Sequence, residues 1–359
     1  MSNVFDYLDW RGDITFAELP LNEVDSLILS MVCYIDLDGI VPDDHSVAVQ
    51  FLSAAKQYLR RHRGEQAYIG AIVPASVVTL LAKAAKTKRF GNVRLSGYVN
   101  IIDEDNQGQF SAMTFALGDG SFYVAFRGTD DTLIGWKENF NMSFMETVPA
   151  QAEAVKYLDS AARERSGGIY VGGHSKGGNL AVYAAVKSTA ATKERIIRTY
   201  NNDGPGFSAS FIESADYQSI KNKIRTLIPE SSVVGLLLEH EETYEVVKSS
   251  QVGLMQHDAS SWEVLGGKFI YLNEVSEESL RIDKTLKGWL AEMDMAQRAE
   301  FVDAIYDTLA STNATTLTDI STDKIKLLRA WRNLSEENKS VIMKSLKALI
   351  KEIKKNRKK

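Results

Sequence analysis

A serine with a glycine two residues before it and another two residues after it stands in Gly173-His174-Ser175-Lys176-Gly177. The β-prone run Ile169-Tyr170-Val171 leads into it, and the small-residue stretch from Asn179 to Val186 follows. This reads as strand, tight turn, helix. In such a nucleophile elbow the flanking glycines let strand and helix pass without a Cβ clash. The turn pushes Oγ out of the sheet and aims the first N–H groups of the helix at an oxygen that becomes negative during acyl transfer.

An activated serine needs a base to take its proton and an acid to orient that base. The chain has five histidines. His45 and His62 lie in an N-terminal helical region, and His174 is tied to the elbow. Hydrolases of alternating strands and helices use the order nucleophile, acid, base, which leaves His240 and His257. His240 sits in the charged run Glu239-His240-Glu241-Glu242, whereas His257 ends Gly253-Leu254-Met255-Gln256 with Trp262 near enough to shield it. His257 is the expected base. Two carboxylates compete for the acid: Asp203, in Asn202-Asp203-Gly204-Pro205-Gly206 just after a strand, and Glu230, just after the next. Asp203 is preferred. Asp258 would have to turn back onto its neighbour's ring.

Other chemistries find no pattern. No His-Glu-x-x-His or paired-cysteine spacing suggests a metal, and Lys176 lacks the Ser or Thr and the glycine spacing of a phosphate loop. No cofactor is expected. A net charge of -5 gives no reason to expect nucleic acid as a partner. The single cysteine, Cys33, excludes an intrachain disulfide and, amid Leu27, Ile28, Leu29, Met31 and Val32, reads as buried filler.

The elements that must position these residues follow from periodicity. Helical spacing marks Asn22 to Ile35, Ser46 to Arg61 and Pro74 to Ala85, a lead-in ending near residue 92. A period of two then marks strands over Val93 to Ile102, Gln109 to Leu117 and Ser121 to Phe126, the last leaving through Arg127-Gly128-Thr129. Gly128 would allow the close backbone approach of an oxyanion loop. Trp136 to Met145 reads as a loop with a short amphipathic segment, and Ala150 to Arg165 as a helix. After the elbow helix come strands at Arg195 to Tyr200 and Ile224 to Ile228, with Ser208 to Ile220 between them as a cap or lid. Tyr244 to Val247 and Gly267 to Leu272 read as edge strands. From Ser276 onward the helical period returns, over Leu280 to Leu290, Ala296 to Leu309, Asp323 to Trp331 and a last helix capped by Ser335.

Phe126-Arg127-Gly128-Thr129, Gly173-His174-Ser175-Lys176-Gly177-Gly178 and the loop at Gly204-Pro205-Gly206 resemble the class 3 (fungal-type) lipases in type and order. With Asn202 to Phe207 and Gln256-His257-Asp258, the chain resembles more closely a bacterial family of lipase-like α/β-hydrolases of unassigned function. The resemblance runs over roughly residues 20 to 275. It implies Ser175 as nucleophile, His257 as base, and Thr129 and Lys176 as backbone donors to the oxyanion. Class 3 lipases carry an Asp-x-Val-Pro acid after the strand that here ends at Ile228; Ser231 occupies the matching place, with Glu230 one residue away.

The expectation is an α/β-hydrolase fold: a mostly parallel central sheet flanked by helices, with the helical lead-in inside a unit of residues 1–275 and a helical extension over 276–359. The expected activity is hydrolysis of acyl esters of lipid or small-molecule type. Acyl transfer on the same triad and a silent binding module are the rivals. No apolar run reaches the ~18 residues of a membrane span and the N-terminus lacks a signal-peptide pattern, so the cytoplasm is the expected location. The basic tail from Lys347 to Lys359 offers a surface for weak contact with anionic lipid. The amphipathic terminal helices fit packing on the core and pairing of two chains equally well.

Overall fold

A computed structural model describes residues 2–63, 75–240, 243–312, 314–322 and 330–357. Pro74, Glu241, Glu242, Lys358, Lys359 and most of the expected helix from Asp323 to Trp331 lie outside the described residues.

Strands β1 (Val49–Gln50), β2 (Arg94–Asp103), β3 (Gly108–Ala116), β4 (Phe122–Phe126), β5 (Ile169–His174), β6 (Ile196–Asn202), β7 (Ile224–Pro229) and β8 (Tyr244–Val247) lie side by side in chain order. A small hairpin, β9 (Val264–Leu265) and β10 (Lys268–Phe269), stands apart, and β11 (Tyr271–Leu272) closes the main sheet against β8. Pairing is antiparallel from β1 to β4, parallel from β4 to β8 and antiparallel again at β11. The parallel pairs need crossovers, and helices supply them: Pro149–Glu164 before β5 and Lys176–Lys187 after it.

All of β4 and β5 is buried, as a strand covered on both faces must be. Alternation sorts their side chains. Tyr123 and Ala125 join the core made with the N-terminal helices, among them Glu23–Val32, every residue of which is buried. Phe122, Val124 and Phe126 join the opposite core, with Leu158 and Leu180 of the two crossover helices. The lead-in is therefore one outer layer of a helix-sheet-helix sandwich. At β5 and its neighbours the molecule is an α/β structure with a mostly parallel centre.

Four sequence expectations change. The helix expected from Ser46 begins only at Phe51, because Val49 and Gln50 pair with Leu95 and Arg94 as an edge strand. The stretch expected as a loop from Trp136 to Met145 is helical as far as Asn141, in helix Leu133–Asn141, and turns only over Met142 to Phe144; Thr132 Oγ1 caps the helix N-terminus at 3.1 Å from the Gly135 N–H. The strand expected from Gly267 to Leu272 is broken, Lys268–Phe269 turning back on β9 before β11 returns to the sheet. Finally, Ser208 to Ile220 forms two short helices whose Phe211 and Tyr217 pack with Phe207 against the elbow helix, Phe211 stacking on Tyr183 at 5.2 Å.

The C-terminal helices Glu277–Ala291, Met295–Ala310 and Glu336–Arg357 form a small core of their own around Trp289, Met293, Phe301 and Val302. Phe140 and Phe144 reach into it from the main body. Lys137 Nζ pairs with Asp303 at 2.6 Å, and Arg298 Nη1 donates to the Ser143 carbonyl at 2.7 Å. Among the described residues no helix is long and apolar enough to cross a membrane.

Candidate active site

Ser175 stands between β5 and helix Lys176–Lys187 with φ 57° and ψ -132°. A non-glycine residue there is strained, at a cost on the order of 1–3 kcal/mol, and it holds only because its surroundings fix it. They do so from both sides. The Ser175 N–H donates to the Asn202 carbonyl at 2.9 Å, and the Ser175 carbonyl accepts from Gly178 N–H at 2.8 Å. The turn also needs its glycines. A Cβ on Gly177 would stand 2.1 Å from the Phe126 carbonyl oxygen, and one on Gly173 would stand 2.2 Å from Gly177.

Asp203 follows β6 and is fully buried, with φ 54°. Side-chain amides stitch its loop to the elbow: Asn202 Nδ2 donates to the Gly173 carbonyl at 3.0 Å, and Asn179 Nδ2 to the Gly206 carbonyl at 2.9 Å. The carboxylate is satisfied from three directions, accepting Ser232 Oγ–H at 2.5 Å and Gly235 N–H at 3.1 Å on Oδ1, and His257 Nδ1–H at 2.6 Å on Oδ2. Glu230 does not compete among the described residues; its N–H serves the Val247 carbonyl, and its carboxylate makes no bond to the ring. Asp258 instead caps the next turn through the Ser260 N–H and hydroxyl.

His257 ends a short 3-10 turn, Gly253–His257. Trp262, fully buried, holds that turn from below, its Nε1–H donating to the Gln256 carbonyl at 2.9 Å. With Nδ1–H committed to Asp203, the Nε2 lone pair of a neutral ring is left for a proton. The backbone of His257 is held as well. Its carbonyl can only accept, so His174 Nε2, 2.9 Å away, carries a proton, and His174 Nδ1 accepts the Tyr34 hydroxyl at 3.0 Å. Burial, with His257 alongside, pulls the His174 pKa down from 6.5 to about 3, so this ring is neutral.

The loop that carries Thr129 runs beside the elbow that carries Lys176. Gly128 lies so close to the elbow that a Cβ there would stand 2.0 Å from the Tyr34 hydroxyl and 2.6 Å from the His174 carbonyl. The N–H groups of Thr129 and Lys176 make no hydrogen bond among the described residues. Two consecutive residues of helix Leu133–Asn141 hold the side chains of these two residues. Lys176 Nζ, buried, donates to Glu138 Oε2 at 2.8 Å, and Asn139 Nδ2 donates to Thr129 Oγ1.

Beside Ser175 and Lys176 lies a cavity of about 350 Å³. Trp136 and Phe140 form one side and Val234, Leu237 and Leu238 another. Leu286, Trp289 and Leu290 cover it from the C-terminal helix Glu277–Ala291, so the expected lid at Ser208 to Ile220 is not what covers the cavity. Backbone strain gathers here too. Among the described residues four non-glycine residues have positive φ, and Ser175, Asp203 and Leu238 are three of them.

The structure thus brings Asp203 and His257 into contact and sets Ser175, Thr129 and Lys176 at the same edge of the sheet. Among the described residues no hydrogen bond joins Ser175 Oγ to His257 Nε2, a contact that often tightens only when substrate is bound. Sequence reading did not reach Ser232, Gly235, Glu138, Asn139 or Tyr34. Each acts from a loop or helix separate from the residue it holds, and no spacing signals that.

A family model described as Mbeg1-like matches residues 84–307, well over half of the 359. The chain belongs to the Mbeg1-like family. This is a lipase-like family, and its match runs past the last strand through helix Glu277–Ala291. Among solved structures the chain is similar to the crystal structure of M37 lipase, at 16% identity over 59% of this chain and 68% of that one, with a TM-score of 0.34. No curated protein matches it.

Proposed function

We propose that this chain is a serine hydrolase of α/β-hydrolase type that cleaves carboxylic esters. Ser175 Oγ attacks the acyl carbonyl while His257 Nε2 takes its proton, and Asp203 holds the imidazole in the required tautomer and stabilises the imidazolium. The tetrahedral oxyanion rests on the N–H groups of Thr129 and Lys176, the second at the positive end of helix Lys176–Lys187. The imidazolium then protonates the leaving alcohol, and water repeats the sequence on the acyl-enzyme. One observation carries this reading: the 2.6 Å bond between His257 Nδ1 and the fully buried Asp203, across 54 residues of chain, at the edge where Ser175 is held in a strained turn.

The test is labelling with a fluorophosphonate probe beside turnover of nitrophenyl acetate. The wild type should label, and Ser175→Ala should lose labelling and at least about ten-thousand-fold in kcat/KM with its thermal unfolding midpoint unchanged. His257→Ala should lose labelling as well. A folded wild type that neither labels nor turns over acetate, or a Ser175→Ala variant that keeps full turnover, would overturn the proposal.

A further inference from the structure

The cavity beside Ser175 is walled in part by a helix that lies beyond the last strand of the sheet. Leu286, Trp289 and Leu290 project into it from one face of Glu277–Ala291, at the three- and four-residue spacing of a helix stripe. This wall is held in place. Trp289 Nε1–H donates to the Ser345 carbonyl at 2.9 Å, and Asn356 Nδ2 to Thr285 Oγ1 at 3.0 Å, both from the terminal helix. Arg298 ties the same unit to Ser143, another lining residue.

The lining is mostly apolar: beside the Ser175 hydroxyl its polar side chains are largely engaged, with Asn139 Oδ1 left as a buried acceptor without a hydrogen bond among the described residues. Asn139 donates to Thr129, Ser143 Oγ–H to the Phe140 carbonyl at 2.7 Å, and the Lys176 ammonium is paired with Glu138. A charged substrate group would be desolvated there without an opposite charge to pair with, which is costly, and one neutral amide oxygen does not offset that. A neutral chain would gain about 0.8 kcal/mol per buried methylene. At the ~30 Å³ that one water occupies in the liquid, the space holds on the order of a dozen non-hydrogen atoms.

We propose that helix Glu277–Ala291 forms the acyl-chain subsite of this enzyme, with Leu286 and Leu290 setting the length of neutral acyl chain it accepts. The assignment rests on the serine-hydrolase reading and adds the substrate class to it: esters of short to medium straight-chain acids, up to about ten carbons. The family match through this helix agrees with its being part of the functional unit.

The experiment uses the full chain and nitrophenyl esters from acetate to palmitate. Wild-type kcat/KM should climb up to about fourfold per methylene as far as the octanoate or decanoate, then level or fall. Leu290→Trp should lower the octanoate-to-acetate ratio more than tenfold. Leu286→Ala should move the optimum the other way, toward longer chains, so that mere loss of folding cannot mimic both results. Binding of 1-octanol by calorimetry supplies a readout independent of turnover: one saturable site in the wild type, weakened at least tenfold in Leu290→Trp. A chain-length profile that neither substitution moves, or the absence of a saturable octanol site, overturns the subsite while leaving Ser175-dependent acetate turnover intact. Acetate turnover that survives Ser175→Ala would instead overturn the reading on which the subsite rests.

Discussion

His174 is wedged between the Tyr34 hydroxyl and the carbonyl of His257, and it stays neutral because burial holds its pKa near 3, against 6.5 for an exposed imidazole. The unfolded chain takes up a proton at this residue below pH 6.5, and the folded chain does not until about pH 3. Acid therefore favours unfolding across that window, with this one group removing about 2 kcal/mol between pH 7.5 and 5. Urea titrations at pH 7.5 and 5 should show that loss in the wild type and a smaller one in His174→Gln, whose amide can still donate to the His257 carbonyl. Equal losses in the two proteins would remove His174 as the cause. At this scale the sequence was legible where residue types are scarce. Five histidines and one glycine-flanked serine left little choice, and His257 meets Asp203. It was not legible where a common residue acts across a long loop. Nothing near Ser232 announces that its hydroxyl serves Asp203, 29 residues earlier, and His174 reads only as part of the elbow.

The elbow shows how an element is fixed by what it must pass. Helix Lys176–Lys187 starts against the end of β4, and Gly177 is the point of closest approach, 2.1 Å from the Phe126 carbonyl for any added Cβ. That neighbour is backbone and cannot rotate away. Gly177→Ala should therefore cost about 2–3 kcal/mol, read as a lower urea midpoint at unchanged slope. Gly267→Ala is the control, because a Cβ there meets nothing within 4 Å; a shift of more than about 0.5 kcal/mol in the control, or none at Gly177, would contradict the packing argument. Strands and helices were readable from their periods where one face or both are buried, as in β2, β3 and the elbow helix. Where pairing partners decide, the period misled. Val49 and Gln50 extend the helical spacing that follows them, yet they bond to β2, and helix Leu133–Asn141 was hidden because its buried residues include Lys137 and Glu138, which a hydrophobicity pattern scores as solvent-facing.

Seen whole, the described residues form two large cores back to back on the sheet and two far smaller ones, one around Ile228 and Val246 and one among the C-terminal helices. Small cores open at lower free energy. Amide hydrogen exchange should accordingly find helix Met295–Ala310 opening several kcal/mol below β5, the strand that carries the elbow; identical opening energies would mean that the C-terminal helices unfold only with the sheet. That these helices wall the cavity could not be read from their amphipathic pattern, which fits any apolar neighbour. The ladder between β5 and β6 sets His174 opposite Asn202, so Ser175 and Asp203 occupy the next positions of two adjoining strands. In a machinist's terms those two parts are cut from one casting, and their spacing carries the tolerance of a single rung. His257 is a separate fitting, brought back over the chain between β7 and residue 257 and located by two pins, one on its ring from Asp203 and one on its carbonyl from His174. The alignment of the assembly is thus the alignment of one part, and both pins that set it are anchored in the casting.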